Sequence, residues 1–391
     1  MRVLKTIWGL LFRLFPCPTG VGIRQIGNPG PDSPVLVTGN FHLTVKRLER
    51  ALRGWDAWVL VCDSKGINVW CAAGADELDT HSVVSAVKTS GIGERVDHRI
   101  LILPPLSAPG VRMADLRDQT GWKVKWGPVY AKDLPRFLAQ GLKRDKAMAR
   151  ATYDLKQRLD TAMGALFPFY FLGALGICVF GSHLLPGYLV VGAVAFLGFM
   201  SLAPWLPGHK GLTKALFLDA ALLAFWLALE SLSPFHGAPF RAYWIVALVA
   251  VLAYGVELGG LASTMPSDFD PFLARMGIGS MGNVAFAGTI RTELLNGYRV
   301  LTYYRDRCKG CRNCEAVCPQ GVWEMDPTGR AVLARKMDCT ACRACLVQCE
   351  GGAIQAEPMG PAAGEGVRST AEIPRTGPGS APGADLEPPE P

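Results

Sequence analysis

Residues 34–62 read PVLVTGNFHLTVKRLERALRGWDAWVLVC. A strand-like run, VLVT (35–38), gives way to a helix-like run, FHLTVKRLERAL (41–52), and then to a second strand-like run, AWVLVC (57–62). Farther on, RILILP (99–104) supplies a third strand, and THSVVSAVKTS (80–90) and KDLPRFLAQG (132–141) supply two more helices. Strands alternating with helices specify an α/β domain on a mainly parallel sheet. In such sheets ligands bind at the carboxyl ends of the strands. The segment Asn68-Val69-Trp70-Cys71-Ala72-Ala73-Gly74 follows the second strand and a turn-like DSKG, so it emerges at that edge. A single cysteine there is either a packed thiol or a soft ligand offered to something large and polarizable. No G-x-G-x-x-G follows the first strand, and the six histidines form no zinc or hydrolase constellation readable from spacing.

At 391 residues the chain is long enough for two or three domains, and half of it is hydrophobic. Residues 1–160 mix charged and apolar positions, 161–262 are nearly uncharged, and 300–355 hold eight of the twelve cysteines. The composition divides the chain into an N-terminal amphipathic segment (1–20), an α/β domain (21–145), a membrane segment (146–265), a linker (266–300), a cysteine-rich α+β domain (301–356) and a tail (357–391). That tail is Pro, Gly, Ala and Glu, and is expected to stay disordered because it cannot bury enough apolar surface. The net charge of +7 does not indicate nucleic acid: Lys143, Arg144, Lys146, Arg150, Lys156 and Arg158 flank the hydrophobic segment instead. The N-terminus, MRVLKTIWGLLFRLFPCP, starts basic, but Arg13 interrupts its apolar run and no small-residue cleavage site follows. It reads as an interfacial amphipathic helix rather than a signal peptide.

Four apolar runs, Thr161–Gly181, Leu184–Leu206, Thr213–Leu232 and Phe240–Ala262, each approach the roughly 20 residues a crossing helix needs. The loops SHLLPG and SPFHGAPF carry no Lys or Arg, whereas PGHKGLTK carries two Lys. A multi-pass protein of the inner membrane with both flanking domains facing the cytoplasm follows from that asymmetry. Asp219 and Glu257 fall in the third and fourth runs, and no role is assigned to either.

Cys308, Cys311, Cys314 and Cys318 follow C-x-x-C-x-x-C-x-x-x-C and are closed by Pro319; Cys339, Cys342, Cys345 and Cys349 repeat the spacing without the proline. This is the run that holds [4Fe-4S] clusters, three thiolates on one loop and the fourth reaching the neighbouring cluster. One cluster is then expected on Cys308, Cys311, Cys314 and Cys349, and the other on Cys339, Cys342, Cys345 and Cys318. Zinc sites favour separated C-x-x-C pairs instead. Residues 300–355 resemble bacterial two-cluster ferredoxins, and their thiolates agree with a reducing, cytoplasmic face.

With these residues in view, the chain resembles the mercury-methylating corrinoid protein family, HgcA, fused to its ferredoxin partner, HgcB. NVWCAAG looks like that family's cap-helix motif, and PVLVTGNFHLTVKRL, HRILILPPLSAPGV and WGPVYAKDLPRFL are similar to the rest of its Rossmann-like corrinoid-binding domain. That domain is itself related to the corrinoid iron–sulfur protein of acetyl-CoA metabolism. The resemblance implies a cobalamin-type corrinoid and two [4Fe-4S] clusters as cofactors, with Cys71 as the lower axial ligand to cobalt and the catalytic residue. Asn68, Val69 and Trp70 would shape the cap, while Ala72, Ala73 and Gly74 would leave room for the macrocycle. It implies methyl transfer to a soft acceptor such as mercury(II), with a methyl-folate methyltransferase or other methyl donor protein, an electron donor for the clusters and the lipid membrane as partners.

The chain departs from the family at three places. Ala75-Asp76-Glu77-Leu78-Asp79 stands where the family continues with Lys and a Gly-rich stretch, which places acids beside the corrinoid. Four apolar runs replace five crossings. No cysteine follows Cys349, where the family's ferredoxin ends in a cysteine pair. Of the remaining cysteines, Cys17 is the one expected to be exposed, so mercury methylation is expected to be weak. The alternative from another class is a membrane electron-transfer subunit in which Cys71 merely packs.

Overall fold

The structure is a computed structural model and describes residues 2–358 apart from 14, 209–210, 233–237, 260–297, 336–337 and 341. Nearly all of the expected linker and tail therefore lies outside the described residues. The α/β domain is a five-stranded sheet of β1 (Gly22–Ile26), β2 (Val35–Gly39), β3 (Ala57–Cys62), β4 (Ile100–Leu103) and β5 (Lys123–Trp126) in the order β1-β3-β2-β4-β5. β2, β3, β4 and β5 pair in parallel, and β1 closes one edge antiparallel to β3.

The alternation of strand side chains sorts the core into two layers. Val35, Val37, Trp58, Leu60, Leu101 and Leu103 point to one face, Leu36, Val59, Val61 and Ile102 to the other. The helices in chain order are α1 (Arg2–Leu11), α2 (His42–Ala51), α3 (Val69–Gly74), α4 (Thr80–Thr89), α5 (Met113–Thr120), α6 (Leu134–Ala139) and α7 (Lys146–Ala149). Val83, Val84 and Leu116 of α4 and α5 cover the first face, and Val45, Leu48, Phe137 and Met148 of α2, α6 and α7 cover the second. Because α2 connects β2 to β3 on one face while α3 and α4 lead from β3 to β4 on the other, the winding reverses between β2 and β4. That is where a doubly wound sheet opens a crevice.

Two of these strands fall outside the sequence expectation. β1 and β5 are short edge strands, and β5 keeps Lys123 and Lys125 exposed, so neither carries the apolar run of a central strand.

Four helices follow the apolar runs: α8 (Leu155–Phe180), α9 (Leu185–Leu202), α10 (Gly211–Leu232) and α11 (Ala238–Gly259). The four runs expected to cross are all helical, and they differ in how long and apolar they are. Among the described residues two stretches, Ser182–Leu202 and Gly211–Ser231, are long and apolar enough to cross a membrane. A third is added if the halves of α8, Leu155–Gly164 and Leu166–Val179, bent by 54°, form one span, while the apolar part of α11, Arg241–Gly255, is short. The bend has a local cause. Pro168 cannot donate to the carbonyl of Gly164, and the N–H of Arg13 takes that carbonyl at 2.9 Å. An added Cβ on Gly164 would lie 2.9 Å from the Leu10 carbonyl oxygen, so only glycine lets the end of α1 approach there. Asp160 completes the joint, meeting Arg13 at 2.9 Å and Arg47 of α2 at 2.8 Å.

The cysteine-rich domain contains β6 (Tyr298–Tyr303) paired antiparallel with β9 (Ile354–Pro358), β7 (Trp323–Met325) paired with β8 (Ala331–Leu333), and the short helices α12 (Asn313–Val317) and α13 (Ala344–Val347). Val322, Trp323, Ala331 and Ile354 form its core between the cysteines.

Candidate functional site

Cys71 lies in the first turn of α3, at the carboxyl edge of the sheet. The 3.6-residue period turns Val69, Ala72 and Ala73 into the core and leaves Cys71 exposed, with Trp70 and Gly74 partly so. Asn68 caps the helix: its Oδ1 accepts from the Cys71 N–H at 3.1 Å, and its Nδ2 donates to Cys71 Sγ at 3.2 Å. One side chain thus fixes both the start of the helix and the direction of the sulfur.

Ala72 and Ala73, expected to leave room for the macrocycle, lie on the inward face of α3. Both are fully buried, and their smallness serves close packing against the segment after β4. A Cβ on Gly110 would lie 2.9 Å from the Ala73 carbonyl oxygen. Gly74 differs, because a Cβ there would meet nothing within 4 Å, and the surface beside Cys71 is open.

The loop that launches α3 is held by Asn40, a residue the sequence reading passed over. It follows β2 directly and is buried, and its Oδ1 accepts from Ser64 N, Ser64 Oγ and Gly66 N at 2.8–3.0 Å. The single Ser64 hydroxyl proton is shared between Asn40 Oδ1 and the Ile67 carbonyl oxygen, which lies 2.9 Å away and one residue before the cap. The only forward signal was an Asn placed after a buried strand, where a polar side chain must find partners.

The acids after Gly74 do not simply crowd the site. Asp79 caps α4, accepting from Ser82 N at 2.8 Å, and Asp76 Oδ1 meets Arg343 of the cysteine-rich domain at 2.9 Å. Cys17 is also corrected. It is 5% exposed, its Sγ faces the Lys5 carbonyl oxygen at 3.8 Å, and Leu10, Phe41 and Leu43 cover it. The bridge from Pro18 to Phe41 draws the N-terminal segment onto the domain and buries the thiol. Burial raises the Cys17 thiol and pushes the Cys62 thiol up to about 12.

The eight cysteines of the cysteine-rich domain separate into two sets. Cys308, Cys311, Cys314 and Cys349 line one open cavity of about 380 Å³ with Tyr303, Met325 and Ile354. Burial pushes Cys314 up to about 12, with Cys311, Cys308 and Cys349 adding repulsion. Cys342, likewise pushed up to about 12 by burial, feels Cys318 and Cys339, and Cys345 feels Cys342, Cys318 and Cys339. Each set thus takes three thiols from one run and the fourth from the other. Among the described residues no three Cys, His, Asp or Glu side chains gather about a single ion. The first set surrounds a space instead, which fits a multi-atom cluster. Thiols crowded and raised in this way need the compensating charge of iron to ionise.

The two domains are packed together. Val317 and Ala344 join the core of the α/β domain, and Arg144 donates to the carbonyls of Gly127 and Ala316 at 3.1 and 2.6 Å. Gln348, 2% exposed, donates to the carbonyls of Ala108 and Val111 and accepts from Met113 N. The cysteine-rich domain therefore covers the segment after β4 beside α3.

Comparison with known proteins bears on both domains. Residues 15–138 match the family model described as CO dehydrogenase/acetyl-CoA synthase delta subunit, and residues 307–354 match the 4Fe-4S dicluster domain. The chain is 35% identical over 116 residues to the acetyl-CoA decarbonylase/synthase complex subunit gamma of Archaeoglobus fulgidus, covering 29% of this chain and 24% of that protein. The gamma subunits of Methanothermobacter thermautotrophicus and Methanopyrus kandleri are 34% and 35% identical over 119 and 126 residues, or 30% and 32% of this chain and 26% and 27% of theirs. The chain thus spans about a quarter of the length of the curated relatives it matches.

Proposed function

We propose that this protein is a membrane-bound corrinoid- and [4Fe-4S]-dependent methyltransferase of the HgcA–HgcB type. The observation that carries the reading is Cys71: an exposed thiol on a capped helix, at the reversal point of a doubly wound sheet, within the region similar to a CO dehydrogenase/acetyl-CoA synthase subunit. A corrinoid there supplies a cobalt centre that carries a methyl group, and two [4Fe-4S] clusters supply the single electrons that keep it reduced. Cys71 is the residue that would hold the metal. The Asn68 amide aims the sulfur, Gly74 leaves the adjoining surface clear, and Asn40 keeps the preceding loop fixed. A thiolate would donate more charge to the metal than an imidazole does, which suits giving the methyl group together with its bonding pair to an electrophilic acceptor.

Cys308, Cys311, Cys314 and Cys349 hold one cluster, and Cys318, Cys339, Cys342 and Cys345 the other, as their grouping suggests. The membrane orientation follows the charges. Arg158 donates to the Met200 carbonyl, and Lys214 to the carbonyls of Ala203 and Leu206, so basic side chains close the end of α9 on the side of the α/β domain. That side faces the cytoplasm. A methyl-folate methyltransferase or other methyl donor protein and a reductant for the clusters are the partners this chemistry needs.

Mercury(II) as acceptor calls for thiols to relay it, but Cys71 would be committed to cobalt, Cys17 and Cys62 are buried, and Cys178 lies within the apolar helix α8. Weak methylmercury formation, with another soft acceptor preferred, is the expectation. The test of the whole reading is the ultraviolet–visible spectrum of anaerobically purified protein given hydroxocobalamin. Retained cobalamin bands beside Fe–S absorption, altered in Cys71→Ala, support it. Fe–S absorption alone would assign the chain to membrane electron transfer.

A further inference from the structure

We propose that Arg343 and Asp76 form a positioning clamp through which the second cysteine loop holds the turn that closes the Cys71 helix. The two cysteine runs are repeats, so their differences can be compared position by position. In each, the residue after the second cysteine is an arginine in the left-handed region, Arg312 at φ 64° and Arg343 at φ 65°. Arg312 meets Glu315, three residues on, at 2.8 Å within its own loop. The equivalent position in the second run is Leu346, which offers no charge. Arg343 instead reaches Asp76 at 2.9 Å, across 267 residues of chain.

Asp76 follows Gly74 by two residues and is itself left-handed, at φ 56°. A non-glycine residue holds that conformation only where its surroundings fix it. A further difference between the repeats lies at Val317, whose equivalent in the second run is Gln348. Gln348 binds the Ala108 and Val111 carbonyls at 2.9 and 2.7 Å and the Met113 N–H at 3.1 Å. This segment includes Gly110, packed on Ala73. Leu346 in place of Glu315 and Gln348 in place of Val317 are two of the six positions at which the second run departs from the first, and these two accompany its contacts with the surroundings of α3. Iron held by Cys339, Cys342 and Cys345 fixes the loop that carries Arg343, so loading that set steadies the turn after Cys71. The importance of the clamp for methyl transfer rests on the function proposed above, but the clamp itself does not.

Hydrogen exchange of the full chain in detergent, kept anaerobic, tests it. Arg343→Gln and Asp76→Asn should each raise exchange in residues 69–78 about 2- to 5-fold, the range of a partly exposed ion pair, with α4 and the iron content unchanged. The swap Asp76→Arg with Arg343→Asp should restore the wild-type rate, because each position already holds its residue at positive φ. Removing iron from the wild type should raise exchange to the level of Arg343→Gln. Apparent affinity for added hydroxocobalamin should fall in the single variants by the same factor and recover in the swap. Unchanged exchange at 69–78 in both single variants, or a swap that fails to restore it, overturns the clamp. A wild type that binds no cobalamin overturns the function above, and the exchange comparison still decides the clamp.

Discussion

Cys71 differs from the other cysteines of the α/β domain in accessibility, and that difference can be read chemically. A thiol reacts as its thiolate, so burial protects Cys62, pushed up to about 12, and Cys17, raised by the same cause. With the clusters in place and the protein in bilayer vesicles, iodoacetamide at pH 7–8 should label Cys71 while Cys17 and Cys62 stay unmodified until the protein unfolds. Peptide mapping checks this, and early labelling of Cys17 would mean that the N-terminal segment leaves the domain. Exposure also fixes the expected cost of removing Cys71. Cys71→Ala should change stability by no more than about 0.5 kcal/mol, since exposed positions tolerate truncation, yet abolish methyl transfer. Cys71→His should recover corrinoid binding without transfer, because nitrogen donates less charge than sulfur. Full activity in Cys71→Ala would rule out an axial ligand there.

At the level of elements, the bend of α8 couples the apolar helices to α1 and the α/β domain. Pro168 leaves the Gly164 carbonyl available, and Arg13 takes it beside the Asp160 ion pairs. Gly164→Val should force the end of α1 away, given the 2.9 Å distances to Leu10 O and Arg13 Cβ. Faster exchange at residues 10–15 with α2 unchanged is the expected result. Pro168→Ala should act more gently, since the new N–H competes with Arg13 for one carbonyl. Equal protection of residues 10–15 in both variants would show that the bend does not hold α1.

For the whole molecule, the cysteine-rich domain packs against the segment beside α3, so under the proposed function electron delivery would be intramolecular. Cys314→Ala and Cys345→Ala should each remove one of the two sets, lowering bound iron by about half while Cys71 and the membrane helices remain in place. Methyl transfer should slow in both variants and recover with an artificial low-potential reductant. Absence of that recovery in folded protein would mean that the domain also handles the acceptor.

Local patterns in the sequence determined a good deal. The alternation of VLVT and AWVLVC with FHLTVKRLERAL specified the α/β layers, because side-chain period and crossover length are properties of neighbouring residues. The cysteine spacing led to the expectation of two sets of four, because a C-x-x-C-x-x-C loop turns three thiols toward one point. Apolar runs marked four helices, although a proline and a short apolar core reduced those long enough to cross. The tertiary structure alone decided what depends on contacts far apart in the chain. It turned Ala72 and Ala73 inward, buried Cys17 beneath Phe41, set Asn40 under the Cys71 loop and joined Asp76 to Arg343. No spacing rule links positions 267 residues apart, and one helix face looks like another until the packing around it is known.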